Sequence, residues 1–250
     1  MPRQASHYSE DCLIFAHRGA NSEAMENTRS AFDKALGYAI DGIETDVQLS
    51  RDEIAVLWHD RYLDKIGLTD KHIDDFDYHQ LKALISPESE SEGIMTLQDF
   101  LAAYRKRCRL LIEVKNRDWE PVSRHELKIR QTLDLIGQSN DQQIIVSSFN
   151  LASLVYAHQY KSTFPLIYNF ETEQTLADAR QILNTHSFLY GLCLPIKHLD
   201  HAIVDLLRNY DKCVAVYTCN SDTEISKALE LGVDMLISDL PLKALMMRNR

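Results

Sequence analysis

The stretch "GIETDVQL" sets two carboxylates, Glu44 and Asp46, two positions apart. On a strand such residues share a face about 7 Å apart, so the two acids lie side by side. Alone, the pair suits a wet strand face equally well. A third acid, Glu113, ends another apolar run in "LLIEVKN". Three carboxylates gathered in a dry place require raised pKa values or a hard divalent cation among them. An all-oxygen set points to Mg²⁺ or Ca²⁺, because zinc prefers histidine and cysteine. His17 in "AHRG" and His59 in "VLWHD" titrate near neutrality and can carry protons beside such a cluster. Arg18 and Lys115 add fixed positive charge suited to an anion such as phosphate, and both also have acids nearby with which to pair.

These residues matter only if the fold brings them together. Eight short apolar runs suit buried strands, at residues 13–19, 42–47, 110–116, 144–149, 164–170, 189–195, 213–220 and 235–239. Amphipathic stretches such as "RHELKIRQTLDLIG", "NLASLVYAHQY" and "DTEISKALELG" lie between them. Asn150, and Ser221 or Asp222, stand where a helix N-cap belongs. Alternating β and α segments predict a parallel sheet, and eight of each in 250 residues is the count of a (β/α)8 TIM-type barrel. A doubly wound sheet would instead show a glycine-rich first turn, and Gly19 stands alone there. No Pro/Gly/Ser-rich linker divides the chain, so residues 1–250 read as one domain.

A barrel of this kind gathers its chemistry at the C-terminal ends of its strands, where "HRG", "ETD", "EVKN" and "SSFN" fall. The segment "EIAVLWHD" reads as the return limb of a hairpin turning near Arg51 and Asp52. Such a return brings His59 back to the level of Glu44. Residues 61 to about 87 read as an insertion over the mouth, and "MTLQDFLAAYRKRC" as the helix leading to the third run.

Composition narrows the function class. A formal charge of −10 argues against nucleic acid or an anionic membrane as the main partner. Any anionic substrate must then be drawn in by a local positive site. Five scattered cysteines, Cys12, Cys108, Cys193, Cys213 and Cys219, form no metal-spacing pair and read as reduced, buried thiols, which favours a cytoplasmic home. No apolar stretch reaches membrane-spanning length, and "MPRQASHYSEDC" lacks a secretory pattern. A soluble, unexported protein without stable membrane insertion is expected.

In order along the chain, "AHRGANSEAMENTRSAFDKAL", "GIETDVQL", "VLWHD", "MTLQDFL", "LLIEVKN", "IIVSSF", "VYTCN" and "ISDLP" resemble the glycerophosphodiester phosphodiesterase family over residues 14–241. The resemblance implies a barrel enzyme of lipid and glycerol metabolism. It would hydrolyse glycerophosphodiesters to glycerol 3-phosphate and an alcohol with one divalent cation, Mg²⁺ or Ca²⁺. It assigns His17 and His59 as the acid–base pair and Glu44, Asp46 and Glu113 as metal ligands. Arg18 and Lys115 become phosphate contacts, and Phe149 and Tyr217 substrate contacts. The chain departs from the family pattern at Met25, at the hairpin turn Asp52-Glu53, at Tyr217 in place of tryptophan, and at Ser238. Left open are the preferred alcohol, the ion, water or the glycerol 2-hydroxyl as nucleophile, the division of labour between the histidines, and the oligomeric state. A lysophospholipid substrate and a non-catalytic scaffold are the competing readings; the first needs an apolar entrance, the second the loss of a site residue.

Overall fold

All eight apolar runs form strands of one closed parallel barrel in the computed structural model, which describes residues 12–85, 93–116, 120–137 and 143–250. The strands are β1 (Leu13–His17), β2 (Gly42–Leu49), β3 (Ala55–Leu57), β4 (Tyr62–Leu63), β5 (Leu68–His72), β6 (Arg109–Val114), β7 (Ile144–Ser148), β8 (Leu166–Asn169), β9 (Gly191–Pro195), β10 (Cys213–Tyr217) and β11 (Met235–Ser238). The helices are α1 (Arg29–Leu36), α2 (Tyr78–Ile85), α3 (Leu97–Tyr104), α4 (Val122–Ile136), α5 (Leu151–Tyr160), α6 (Leu176–Thr185), α7 (His201–Asn209), α8 (Asp222–Glu230) and α9 (Pro241–Arg248). Going round the barrel the order is β1, β2, β6, β7, β8, β9, β10, β11, and β11 pairs back to β1. Asn150 and Ser221 cap their helices by accepting from the N–H groups of Ser153 and Glu224. The final helix α9 has no counterpart among the sequence-derived segments; Pro241 begins it, where the missing N–H is harmless.

Side-chain alternation explains how the interior is filled. On five of the eight strands the inward face climbs from apolar to polar: Phe15 then His17, Gly42 then Glu44 and Asp46, Leu111 then Glu113, Ile145 then Ser147, Ile167 then Asn169. The apolar members, with Cys193, Ala215, Met235 and Ile237, form a closed internal cluster. Gly42 makes that packing possible, since a Cβ there would lie 2.4 Å from the Phe15 ring. The opposite strand faces pack on the surrounding helices in a second, larger core.

The hairpin is present. β3 runs antiparallel to β2 with Leu57 opposite Val47, and the Trp58 N–H donates to the Asp46 carbonyl at 3.1 Å. This register brings His59 to one residue short of Glu44. Glu53 takes the left-handed conformation at φ 63° that glycine adopts freely. The Ser50 hydroxyl holds the turn, accepting from the Ile54 N–H at 2.9 Å and donating to Asp52 Oδ1 at 2.6 Å. The insertion that follows is a two-stranded ribbon, β4 with β5, joined to α2. It has a small core of its own around Val56, Trp58, Leu63, Ile73 and Leu81. Its expected end near Pro87 lies outside the described residues.

Candidate active site

β2 and β6 are neighbours with Asp46 opposite Glu113, so parallel pairing alone sets three acids together. One oxygen from each of Glu44, Asp46 and Glu113 lies within 4.8 Å of the others, and all three residues are buried. Lys115 follows directly after β6; its ammonium is 2.8 Å from Asp46 Oδ1 and also contacts Glu113 Oε1. Both oxygens are buried and neither accepts a well-directed hydrogen bond. Burial and the facing carboxylates of Asp46 and Glu113 push Glu44 well above the usual carboxylate range. Burial would raise Asp46 as well, but Lys115, Arg18 and His59 outweigh it and hold Asp46 well below that range. Three converging, buried carboxylates that bring one oxygen each within 4.8 Å of the others fit a hard divalent cation.

Arg18 reaches this cluster through an unusual backbone. At φ 57° it is left-handed, which turns its N–H onto Glu44, 3.0 Å from the carbonyl and 3.1 Å from Oε2. Its guanidinium then lies 3.2 Å from Asp46 Oδ2 and 2.9 Å from Glu26 Oε2. Gly19 follows at φ 84°, and a Cβ there would lie 2.7 Å from the Ala31 backbone. Asn27 is left-handed too; its N–H donates to the Arg18 carbonyl and its amide donates to Asp46 Oδ2 at 2.9 Å.

The two histidines flank the acids, and a carboxylate holds each. His17 Nδ1 is 2.6 Å from Asp239 Oδ1, and Asp239 also accepts from the side-chain amides of Asn21 at 2.5 Å and Asn220 at 2.6 Å. Burial is outweighed by these hydrogen bonds, which keep Asp239 well below the ordinary range. An ionised carboxylate only accepts, so Nδ1 of His17 carries the proton. His59 Nδ1 is 2.7 Å from Asp60 Oδ1, and Lys65 joins Asp60 to Glu26 at 2.7 and 2.6 Å. Gln48 donates to the carbonyls of Trp58, His59 and Asp60, pinning that segment to β2. Burial, with help from Lys115 and Arg18, pulls the His59 pKa down against the pull of Asp46 and Asp60.

Outside the barrel, one carboxylate ties the two acid-bearing strands together. Glu120 binds the fully buried ammonium of Lys128 at 2.9 and 3.0 Å, and Lys128 donates to the Lys115 carbonyl at 2.5 Å. Glu120 also lies 3.4 Å from the Arg124 guanidinium, which donates at 3.0 Å to the carbonyls of Leu49 and Ser50 at the end of β2.

The mouth cavity is small, about 30 Å³, and is lined by His17, Glu44, Glu113, Ser147, Phe149, Asn169 and Tyr217. Phe149 and Tyr217 meet edge to face at 5.9 Å. The Tyr217 hydroxyl donates to the Phe170 carbonyl at 2.7 Å, so the phenol is a wall with its polar end turned away. All nine residues singled out in the sequence thus line or adjoin one mouth. Sequence reasoning missed Asp239, Asp60, Asn27 and Asn169. Of these, Asp239 falls within the quoted "ISDLP", as its partner Asn220 does within "VYTCN", and Asp60 adjoins His59 in "VLWHD", which was the available signal.

A sequence profile of the glycerophosphoryl diester phosphodiesterase family matches residues 17–243. A glycerophosphodiester phosphodiesterase of Bacillus subtilis is 26% identical over 246 residues, covering 92% of this chain and 84% of its own length. One from Bacillus altitudinis is 28% identical over 249 residues, covering 94% and 98%. Among solved structures, a phosphodiesterase of Oleispira antarctica in complex with the product sn-glycerol-3-phosphate is similar with a TM-score of 0.83. That match has 26% identity and covers 95% of this chain and 97% of the other.

Proposed function

The chain belongs to the glycerophosphoryl diester phosphodiesterase family, and from that premise we propose that it hydrolyses glycerophosphodiesters to glycerol 3-phosphate and an alcohol. Glycerophosphocholine and glycerophosphoethanolamine are the substrates in view. The observation that carries this reading is the mouth itself, where two carboxylate-held histidines flank a buried cluster of three acids, an arginine and a lysine. The reading treats the chain as one catalytic domain acting in the cytoplasm. Its five cysteines are free and buried, and no described helix is long and apolar enough to cross a membrane.

Glu44, Asp46 and Glu113 would hold Mg²⁺ or Ca²⁺, which when bound supplies positive charge against a non-bridging phosphate oxygen. Arg18 and Lys115 take up further negative charge as it grows on the phosphoryl oxygens. His59, whose lowered pKa keeps it neutral near pH 7, removes the nucleophile's proton, with Asp60 fixing the ring. His17 gives a proton from Nε2 to the departing alkoxide, and the ionised Asp239 steadies its imidazolium form through Nδ1. Purified protein should release glycerol 3-phosphate from glycerophosphocholine, fall silent in EDTA, and recover with Mg²⁺ or Ca²⁺. Full activity in excess chelator would remove the cation from this account, and no release of glycerol 3-phosphate would overturn the substrate assignment.

Asp239 has a separate consequence. An Asp239→Asn change replaces a charged acceptor by a neutral amide, and hydrogen bonds to charged groups are worth about 1.5–3 kcal/mol. Turnover should therefore fall roughly ten- to a hundredfold with KM little changed. Steady-state kinetics on glycerophosphocholine check this, and an unaltered kcat would mean that His17 needs no such support.

A further inference from the structure

We propose that Asn169 and Ser147 form a hydroxyl-reading pair that binds the glycerol end of the substrate against β7 and β8. This inference rests on the phosphodiesterase reading above and goes on to orient the substrate within the mouth. Both residues line the cavity at the ends of adjacent strands, with Ser147 level with Glu113 on the neighbouring β6 and Asn169 one strand further from the acids. They are nearly sealed from bulk solvent, at 4% and 1% exposure.

The Asn169 amide nitrogen donates to Ser147 Oγ at 3.4 Å, but Asn169 Oδ1 is buried without a hydrogen-bond partner. Buried polar atoms rarely go unpaired in native proteins, and this one lines the cavity where substrate must sit. An amide oxygen needs a donor. Ionised phosphate oxygens offer only lone pairs, a quaternary ammonium has no N–H, and the primary ammonium of ethanolamine can donate to Asn169 but cannot accept from Ser147. A hydroxyl satisfies both residues, donating to Asn169 Oδ1 while accepting from the Ser147 hydroxyl. Neither residue is charged, so the pair favours a neutral alcohol over an ion. Around it, Leu111, Ile237, Cys193, Phe149 and Tyr217 supply apolar surface for a short carbon chain. Tyr217 cannot compete for the hydroxyl, because its own is committed to the Phe170 carbonyl.

With the glycerol seated there and the phosphate toward Glu44 and Glu113, the leaving alcohol faces the open side of the mouth. Selectivity then lies in the glycerol, and the alcohol is read weakly.

The test compares glycerophosphocholine with propyl phosphocholine, which lacks both glycerol hydroxyls, on the wild type and on Asn169→Leu and Ser147→Ala. The wild type should prefer glycerophosphocholine in kcat/KM. Asn169→Leu should shrink that preference roughly ten- to a hundredfold, chiefly through KM, and Ser147→Ala, which removes a single oxygen, should shrink it less and remain usable if the leucine variant does not fold. Equal losses on both substrates would reduce the pair to a structural role and overturn the proposal, as would an unchanged ratio in both variants. A wild type inactive on both substrates would instead overturn the phosphodiesterase reading, and this pair with it.

Discussion

A Lys115→Met variant should be about 3–5 kcal/mol less stable than the wild type, the usual result of removing one partner of a buried ion pair. Methionine nearly matches the lysine stem in volume, so the loss reports charge and not a cavity. Lys115 is 4% exposed and touches both Asp46 and Glu113, leaving Arg18 alone to answer three acids once it is gone. For a chain of this length each kcal/mol lowers Tm by roughly 2–4 °C.

The pH dependence of the gap follows from the signs. In the wild type Asp46 is held below its ordinary value of 3.8, so its contribution is present above that value and fades as pH falls through the folded pKa. In the variant the unpaired acids titrate higher than in the unfolded chain. Their burden is absent at low pH and grows as pH rises. Both effects narrow the difference between the proteins on acidification. Urea unfolding at pH 8 and near pH 5 measures it, and a gap that widens in acid would refute the pairing. Activity should fall as well, since Lys115 is one of two fixed cations assigned to the phosphate.

His59→Gln should lower kcat by about two to four powers of ten, the usual worth of a positioned general base. Glutamine keeps a polar side chain of similar reach but cannot accept the proton. The wild-type profile should lose activity as pH falls through the His59 pKa, because protonation removes the base. Burial places that limb below the ordinary histidine value of 6.5. In the glutamine variant the limb should vanish and the residual rate run flat across it. A variant that kept the acidic limb would transfer the base role to another group.

The barrel was legible because buried parallel strands are apolar on both faces, so each of the eight announced itself as a short hydrophobic run. The acids were legible for the complementary reason: Glu44, Asp46 and Glu113 interrupt such runs where a barrel opens. His59 needed one more inference, that the turn near Asp52 folds the chain back, and the register placed it one residue from the expected level.

What escaped was set by closure of the ring. Asp239 serves His17 across 222 positions, and the two meet only because β11 is the neighbour of β1. Lys128 looks in sequence like one more charge on an amphipathic helix, yet it is fully buried under the end of β6. Asn169 lies near the end of the apolar run 164–170 and reads as a strand terminus. Its unpaired oxygen exists only in three dimensions. The acidic turn at Asp52-Glu53 keeps the hairpin through Glu53's left-handed backbone, so that departure from the family pattern leaves the approach of His59 intact.

The tie through Glu120 bears on how the mouth moves. Repulsion among the acids acts to pry β2 from β6 at their upper ends, and the external clamp on Ser50 and Lys115 opposes it from behind. Parting those ends would break a buried charge pair, an opening that belongs with unfolding of the core and not with the fast motions of exposed loops. Opening the mouth by parting β2 from β6 would therefore cost more than passing substrate and product by rotation of side chains and bending of loops around that braced frame.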